Sequence, residues 1–267
     1  MYREQEGRFL GRRTMITVAE LAKVYPNGCN ALKGVSFNIE KGEVCGYLGA
    51  NGAGKSTTIK ILTGMIKADS GSALIGNYDV KQTPEKVKRI IGYVPESGAL
   101  FQSLTPFDFL EFVCKIYDMD KSVYIRRIYE FLEMFELKNE VNTPMASFSK
   151  GMRQKVLIIS SLIHNPDVIF WDEPLSGIDF NTTVLIRDIV KDLSENGKTF
   201  FYSTHLLDIV EKICTRVIIL NDGNIVFNEY IKDNEKSVSL EEVFKKYIDT
   251  AVIKQKATEI YKNLMTG

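Results

Sequence analysis

Short apolar runs recur along most of the chain, and they predict the strands of a β-sheet. Several runs are unbroken rather than alternating with polar residues, the clearest being Val168–Trp171 and Phe200–Tyr202. A strand that is apolar on both faces belongs in the middle of a parallel sheet covered by helices. The predicted strands are residues 15–18, 35–39, 43–48, 72–76, 90–94, 167–171, 198–203, 216–220 and 224–228.

The pattern changes between residues 104 and 164, where strand signals are absent and apolar residues recur at helical spacing. We therefore predict a helical insertion, whose apolar stripes are expected to pack in the core rather than to bind a cofactor. The stripe residues are Phe107, Leu110, Phe112, Val113, Ile116, Tyr117, Ile125, Ile128, Phe131, Leu132 and Phe135. Amphipathic helices are also predicted from Ser239 to Tyr247, where Ser239 and Glu242 form a capping box, and from Ala251 to Leu264.

Length and composition indicate which classes of protein the chain can belong to. The 267 residues can form one large domain, or a domain with a subdomain. Lys plus Arg and Asp plus Glu both number 34, so there is no general electrostatic argument for binding nucleic acid, and no such partner is predicted. The four cysteines are dispersed, which indicates reduced thiols. Because no apolar run approaches ~20 residues and the first residues lack a signal-peptide pattern, we expect a soluble, intracellular protein.

Residues Gly49–Ser56 carry the most specific chemistry, since they fit the phosphate-binding pattern G-x-x-x-x-G-K-[ST] between a predicted strand and a helix start. Glycines allow the backbone N–H groups to point at phosphate oxygens. Lys55 is expected to reach the β- and γ-phosphates, and the Ser56 hydroxyl to ligate Mg²⁺. A plain glycine-rich turn is the alternative, which the Gly-Lys-Ser sequence disfavours. The predicted nucleotide contacts here are Gly49, Asn51, Gly52, Ala53, Gly54, Lys55, Ser56 and Thr57.

Further polar residues follow two predicted strands at the same edge of the sheet. Asp172 and Glu173 end the apolar run at 168–171, where sheet proteins hold ligands. One carboxylate can hold Mg²⁺ through water while the other polarises the attacking water; two solvated acids at a strand end are the alternative. His205 follows the strand at 198–203 and can donate a hydrogen bond to a γ-phosphate, whereas His164 is expected only to end a helix.

The order of these motifs over roughly residues 15–228 resembles the ATPase subunit of an ATP-binding cassette (ABC) transporter. In that resemblance Tyr25 matches the aromatic residue that stacks on adenine. Residues 49–56 match the P-loop, Ile169–Pro174 the Walker B strand with its catalytic Glu, Leu175–Asp179 the D-loop, and Ser203–His205 the switch histidine.

The family's LSGGQ signature is matched by Phe148–Gln154, with departures. Phe148 replaces Leu, Lys150 replaces the first Gly, and Met152 replaces the Gln. Ser149 and Gly151 are retained: the serine can cap the following helix, and the glycine lets the backbone approach an anion. A bare helix start is the alternative.

A second departure lies at Glu96, where the family commonly has a Gln that touches Mg²⁺ and the attacking water. A carboxylate is still an oxygen ligand for a hard cation, and its charge makes it a stronger one. We therefore expect hydrolysis to depend more strongly on Mg²⁺ in this chain.

The resemblance implies an α/β fold, a P-loop NTPase (RecA-like) core with a mainly parallel sheet, an N-terminal antiparallel β subdomain and an inserted α-helical subdomain. The expected organisation is an N-terminal extension (1–14), an ATPase domain (15–228) whose helical subdomain covers about 97–162, and a C-terminal helical extension (229–267).

The resemblance also implies a function: hydrolysis of ATP with Mg²⁺ to power export through a separate integral membrane permease of the ABC-2 type, at the inner face of the cell membrane. Two ATPase subunits, identical or different, would pack head to tail, so that the signature helix of one faces the γ-phosphate held by the other. Segment 97–105 and the following helix are expected to contact the permease, with Phe101, Leu104 and Phe107 as candidates. The expected catalytic residues are Glu173, His205 and Lys55, the metal ligands Ser56, Glu96 and Asp172, and the further nucleotide contacts Tyr25, Ser149, Gly151 and Asp179.

Two other functions stay open at this point. One is a soluble cassette ATPase that acts on nucleic acid or the ribosome; such relatives usually carry two cassettes or a long coiled coil, and neither is present here. The other is a non-catalytic module that uses ATP only to hold a dimer together, which the presence of Glu173 disfavours.

Overall fold

The computed structural model describes residues 13–96, 103–231 and 240–247, and two β-sheets organise them. The smaller sheet is antiparallel and has the strand order β2-β1-β4-β5. Its strands, numbered along the chain, are β1 (Thr14–Val24), β2 (Asn30–Glu40), β4 (Ser70–Ile75) and β5 (Tyr78–Asp79). The expected N-terminal antiparallel subdomain is therefore present.

The larger sheet has six strands in the order β10-β9-β3-β8-β7-β6. All neighbouring pairs are parallel except the edge pair β9 and β10, which is antiparallel. The strands are β3 (Val44–Leu48), β6 (Ile91–Val94), β7 (Val168–Asp172), β8 (Thr199–Thr204), β9 (Arg216–Asn221) and β10 (Asn224–Tyr230). The carboxyl ends of β3, β6, β7 and β8 share one edge, which is where parallel sheets hold ligands.

Helices cover the larger sheet and form the insertion. They are α1 (Lys55–Leu62), α2 (Pro84–Ile90), α3 (Pro106–Ile116), α4 (Lys121–Met134), α5 (Lys150–Leu162), α6 (Phe180–Glu195), α7 (Leu207–Ile213) and α8 (Leu240–Tyr247). Short 3₁₀ turns at Lys138–Glu140 and Met145–Ser147 lie between α4 and α5. Among the described residues, 103–162 contain helices and turns but no strand, as the apolar spacing predicts.

Alternate residues of the central strands pack into two different apolar clusters. In β7, Ile169 and Trp171 face the cluster formed with α3 to α7, whereas Val168 and Phe170 face the one formed with α1, α2 and the smaller sheet. Every residue of β3, β7 and β8 is buried. This explains why these strands are unbroken apolar runs, since both faces of the sheet are covered.

The predicted strands are all found, with differences at β1, at one short additional strand and in the insertion. β1 is longer than predicted and begins at Thr14, and the two-residue β5 was not predicted. The prediction that Phe112 and Ile116 pack in the core is wrong, because their side chains are 48% and 56% exposed. A helix at 240–247 matches its prediction, whereas Ser239, the segment 251–264 and residues 1–12 of the proposed 1–14 extension lie outside the described residues.

Candidate nucleotide-binding site

The P-loop connects the buried strand β3 to helix α1, and its glycines meet two different requirements. Gly52 and Gly54 have φ angles of +83° and +111°, which residues with a Cβ rarely adopt. Gly49 is required for space instead, because a Cβ there would lie 2.4 Å from the carbonyl oxygen of Leu220. The turn is thus built so that its backbone can curl around an anion at the N-terminus of α1.

Lys55, the first residue of α1, is buried and turned back over the loop. Its Nζ donates hydrogen bonds to the carbonyl oxygens of Gly49 (2.7 Å) and Ala50 (3.2 Å). Burial lowers the pKa of Lys55, while the carboxylates of Glu173, Asp172 and Glu96 act in the opposite direction. A cation surrounded by acidic groups in this way is placed to hold phosphate oxygens.

Three oxygen-bearing side chains come together beside Lys55. The hydroxyl of Ser56 lies 3.4 Å from Oε2 of Glu96, which follows β6. Asp172, at the end of β7, is 1% exposed, and its Oδ1 has no hydrogen-bond partner among the described residues. Burial raises the pKa of Asp172, and the nearby Ser56 and Ser203 hydroxyls oppose that rise. A buried carboxylate oxygen without a partner is costly and is accounted for when it faces a cation.

Glu173 has a strained backbone and a well-held side chain. Its φ is +51°, a conformation that costs a non-glycine residue on the order of 1–3 kcal/mol. The hydroxyl of Thr204 donates to its Oε2 at 3.2 Å, and Nδ1 of His205 lies 2.8 Å from its Oε1. Its N–H donates to the carbonyl of Ser203 in the neighbouring strand. Strain that is maintained by surrounding contacts is typical of functional sites.

A cleft of about 400 Å³ joins these groups. Tyr25 borders it and lies within hydrogen-bond distance of Thr57, the two hydroxyl oxygens being 3.2 Å apart. The predicted site residues that line the cleft are Tyr25, Asn51, Gly52, Gly54, Lys55, Ser56, Thr57, Glu96, Asp172 and Glu173. Gly49 and Ala53 belong to the P-loop without lining the cleft, and His205 approaches it through Glu173.

The structure does not bring Ser149, Gly151 or Asp179 to this cleft. Ser149 caps α5 by accepting a hydrogen bond from the N–H of Met152 at 3.2 Å, as predicted. Asp179 caps α6, and hydrogen bonds from the backbone and side chain of Thr182 lower its pKa to about 2. A Cβ on Gly151 would lie 2.6 Å from the carbonyl oxygen of Gly177, so this glycine allows contact with the neighbouring loop of its own chain.

Sequence reasoning missed three residues that belong to the site. Cys29 and Ala31 line the cleft, and the hydroxyl of Thr204 holds Glu173. Thr204 could have been found, because it lies between two residues of the Ser203–His205 motif. Cys29 and Ala31 carry no motif; Cys29 lies in the turn that follows β1, and Ala31 lies at the start of β2.

Comparison with known proteins agrees with this geometry. A family model described as ABC transporter matches residues 32–176, which are more than half of the chain. This chain belongs to the ABC transporter family. It is the ATP-binding subunit of a transporter and an ATPase. The alternative function, a soluble ATPase that acts on nucleic acid or the ribosome, is not favoured.

Two relatives and a solved structure illustrate the match. The ABC transporter ATP-binding protein NatA of Bacillus subtilis (strain 168) is 32% identical over 238 residues, which are 86% of this chain and 96% of NatA. The linearmycin resistance ATP-binding protein LnrL of the same organism is 36% identical over 212 residues, covering 79% of this chain and 68% of LnrL. The dimeric structure of an ATP-binding cassette bound to ADP and Pi is 29% identical, with a TM-score of 0.77 over 82% of this chain and 100% of that one.

ABC ATPase subunits bind ATP and dimerise, and the P-loop NTPase fold described above matches theirs. Within the described residues, no helix is both long enough and apolar enough to cross a membrane.

Proposed function

We propose that this chain hydrolyses ATP in the cleft between the P-loop and the ends of β6 and β7, and thereby powers export through a separate membrane permease. The observation that carries the proposal is the convergence of Lys55, Asp172 and Glu173 on one cleft next to a helix N-terminus. Lys55 and the P-loop N–H groups would bind the phosphates. The Tyr25 ring would stack on the adenine.

The side chains beside Lys55 suit Mg²⁺. Ser56, Asp172 and Glu96 offer oxygen atoms, which Mg²⁺ prefers, and the unpartnered Oδ1 of Asp172 provides one of them. In the described part of the chain, no group of three or more His, Cys, Asp and Glu side chains could hold a metal ion by itself. Mg²⁺ usually shares its ligands with substrate phosphates, and when bound it neutralises charge on the β- and γ-oxygens.

Glu173 is the proposed general base, and His205 its partner. The Thr204 hydroxyl and the His205 ring hold both carboxylate oxygens, so Glu173 is aimed at a fixed point. A base must lie within hydrogen-bond reach of the proton that it removes. We propose that Glu173 accepts a proton from the attacking water while His205 contacts the γ-phosphate.

A second subunit would complete the site. Ser149, Gly151 and Asp179 lie away from the cleft of their own chain, although they match the family's signature and D-loop. In a head-to-tail dimer they would face the nucleotide of the other subunit, where the N-terminus of α5 would stabilise transition-state charge. Phe180, which follows Asp179 and is 80% exposed, would lie at this interface.

The permease would dock on the helical insertion, and the chain would then lie at the cytoplasmic face of the membrane. Of the residues predicted to touch it, Phe101 lies outside the described residues, and Leu104 and Phe107 are half-buried against the apolar cluster formed with α3 to α7. Helix α3 instead exposes Ile116, and we propose that the permease contacts this surface. Export is supported by the relative LnrL, whose name refers to resistance against a compound.

The test has two parts. Purified protein should release phosphate from ATP only when Mg²⁺ is present, and ATP binding without turnover would reduce the chain to a binding module. The permease captured from detergent-solubilised membranes should then raise the rate of phosphate release when both are placed in liposomes. A stimulation by RNA or ribosomes instead of the permease would contradict the transport function.

A further inference from the structure

Helix α5 contacts the loop that carries Glu173 with several side chains of its first turns. This loop, residues 173–179, runs from the end of β7 to the start of α6. Nε2 of Gln154 donates to the carbonyl oxygen of Pro174 at 2.9 Å, and Nζ of Lys150 donates to the Ser176 hydroxyl at 2.8 Å. Pro174 directly follows Glu173, so the Gln154 hydrogen bond acts on the peptide group next to the strained residue.

The contact between Gln154 and Pro174 is buried, which makes it costly to lose. Gln154 is 6% exposed, and Pro174 is buried as well. If the amide were removed, the Pro174 carbonyl would be left without this donor inside the protein, and the loop would have to move to find another. Since Glu173 is held at φ +51°, movement of its neighbour would release strain and would turn the carboxylate away from Thr204 and His205, which hold it in this structure.

Further contacts fix the same loop against α5. Gly151 packs so closely on the carbonyl of Gly177 that a Cβ would not fit, and Nζ of Lys155 lies 3.3 Å from Oδ2 of Asp179. Lys155 is largely buried, with 10% of its side chain exposed. The loop is therefore held along its whole length by one helix.

Helix α5 also belongs to the helical insertion. It packs against α3 and α4, and the guanidinium of Arg127 in α4 donates to the carbonyl of Ile163 just beyond the end of α5, at 3.0 Å. A displacement of the insertion would therefore reach the Glu173 loop through α5. Lys150 adds to this contact in a position where the family usually has a glycine.

We propose that Gln154 is a positioning residue for hydrolysis: it holds the Glu173 loop in its strained conformation and, with Lys150, couples the helical insertion to the catalytic carboxylate. The proposal rests on the proposed role of Glu173 as general base. Gln154 is buried and does not line the nucleotide cleft, so it acts on turnover and not on ATP binding.

The principal test compares Gln154→Met with wild type in the full-length chain. Methionine keeps the length of the side chain and removes the donor. We expect kcat for phosphate release to fall about 10- to 100-fold, because small displacements of a catalytic group have effects of this size. KM and the Kd of a non-hydrolysable ATP analogue should stay near their wild-type values.

The matched control is Thr199→Val. Thr199 is also buried, and its hydroxyl accepts a hydrogen bond from the N–H of Gly42 at 3.1 Å, at the opposite edge of the sheet. This variant likewise leaves a backbone group without its side-chain partner, so the two changes should lower Tm comparably. Only Gln154→Met should lower kcat; an equal loss of kcat in both variants would mean that Gln154 serves stability alone.

A double variant tests whether Gln154 acts through Glu173. If it does, Gln154→Met should reduce kcat in the wild type and leave the residual rate of Glu173→Gln unchanged. A further loss by the same factor in the Glu173→Gln background would overturn the proposal. Should Gln154→Met fail to fold, Lys150→Met, a change at an exposed position, is measured in the wild-type and Glu173→Gln backgrounds. A loss of kcat in the wild type alone supports coupling through Glu173. An equal loss in both backgrounds means that Lys150 acts from the N-terminus of α5 on the nucleotide of the other subunit, and it contradicts the coupling.

The outcome also separates this proposal from the proposed function. If Glu173→Gln hydrolyses ATP at the wild-type rate, the assignment of the base is wrong. If Glu173→Gln is inactive while Gln154→Met and Lys150→Met turn over normally, the base stands and only the positioning role falls.

Discussion

Nδ1 of His205 lies 2.8 Å from Oε1 of Glu173, so the histidine after β8 and the glutamate after β7 contact each other across the edge of the larger sheet. The Thr204 hydroxyl holds the other oxygen of the same carboxylate. The two residues therefore form one unit, and a change in either should alter the direction in which the carboxylate points.

The first prediction concerns Glu173→Gln. The amide keeps the shape of the side chain but cannot accept a proton, so kcat should fall about 100- to 10,000-fold, the range typical of a lost general base. ATP binding and ATP-dependent dimerisation should persist, as measured by equilibrium binding and analytical ultracentrifugation. The exposed Glu229→Gln in β10 is the control and should turn over normally. Normal turnover by Glu173→Gln would exclude it as the base.

The second prediction concerns Glu96→Gln. Glu96 adds a negative charge beside Ser56, at a place where the nucleotide also brings negative charge. Removing that charge should strengthen ATP binding in the absence of Mg²⁺ by about 3- to 10-fold, a modest effect because the carboxylate is exposed. In Mg²⁺ the gain in ATP affinity should be smaller. The ratio of the ATP affinity in Mg²⁺ to the ATP affinity without Mg²⁺ should therefore decrease.

Isothermal titration with ATP, in EDTA and in Mg²⁺, measures this ratio. The control is Glu85→Gln in α2, where an exposed carboxylate lies away from the cleft. An unchanged ratio for Glu96→Gln would show that the replacement of the usual glutamine does not affect metal dependence.

The sequence predicts those parts of the site whose residues can be recognised from a local motif or from their position at the end of a strand. The P-loop needs only a strand, glycines and a helix start, and Asp172 and Glu173 follow from being at the end of a buried strand. Contacts between segments that are distant in the sequence leave no local motif from which they could be predicted. The hydrogen bond from Gln154 to Pro174 is one example, because nothing in either residue type indicates the partner.

The spacing of apolar residues also could not predict which side chains of the helical insertion are exposed. Helix α3 is apolar on several faces, so spacing alone could not separate the buried Leu110 and Cys114 from the exposed Phe112 and Ile116. Which face is covered depends on where α4 and α5 pack. The two-residue strand β5 was missed because it is too short to carry a pattern.

The third prediction separates the two proposed interfaces. Phe180 is 80% exposed beside the D-loop, and Ile116 is 56% exposed on α3. In the Glu173→Gln background with ATP, Phe180→Ser should weaken dimerisation and leave capture of the permease intact. Ile116→Ser should weaken capture of the permease and leave dimerisation intact, since Ile116 lies on the other surface.

Sedimentation velocity measures dimerisation, and co-purification from detergent extract measures capture of the permease. Each variant is the control for the other. Equal effects of both variants on both assays would contradict the assignment of separate surfaces.

The fourth prediction is a pH dependence at Asp179. Hydrogen bonds from the backbone and side chain of Thr182, and the ion pair with Lys155, hold the pKa of Asp179 at about 2, well below that of a free aspartate. A depressed carboxylate pKa stabilises the folded state above the unfolded pKa, and that stabilisation is lost as the pH falls through the folded pKa. Asp179→Asn should therefore lower Tm by a constant amount between about pH 5 and 7, and the difference from wild type should shrink below about pH 4.

Calorimetry of both proteins from pH 7 to 3.5 measures this difference in Tm, with Asp192→Asn, farther along α6, as the control. A difference that grew on acidification would mean that the cap contributes through its neutral form, and would contradict the proposed role of its charge.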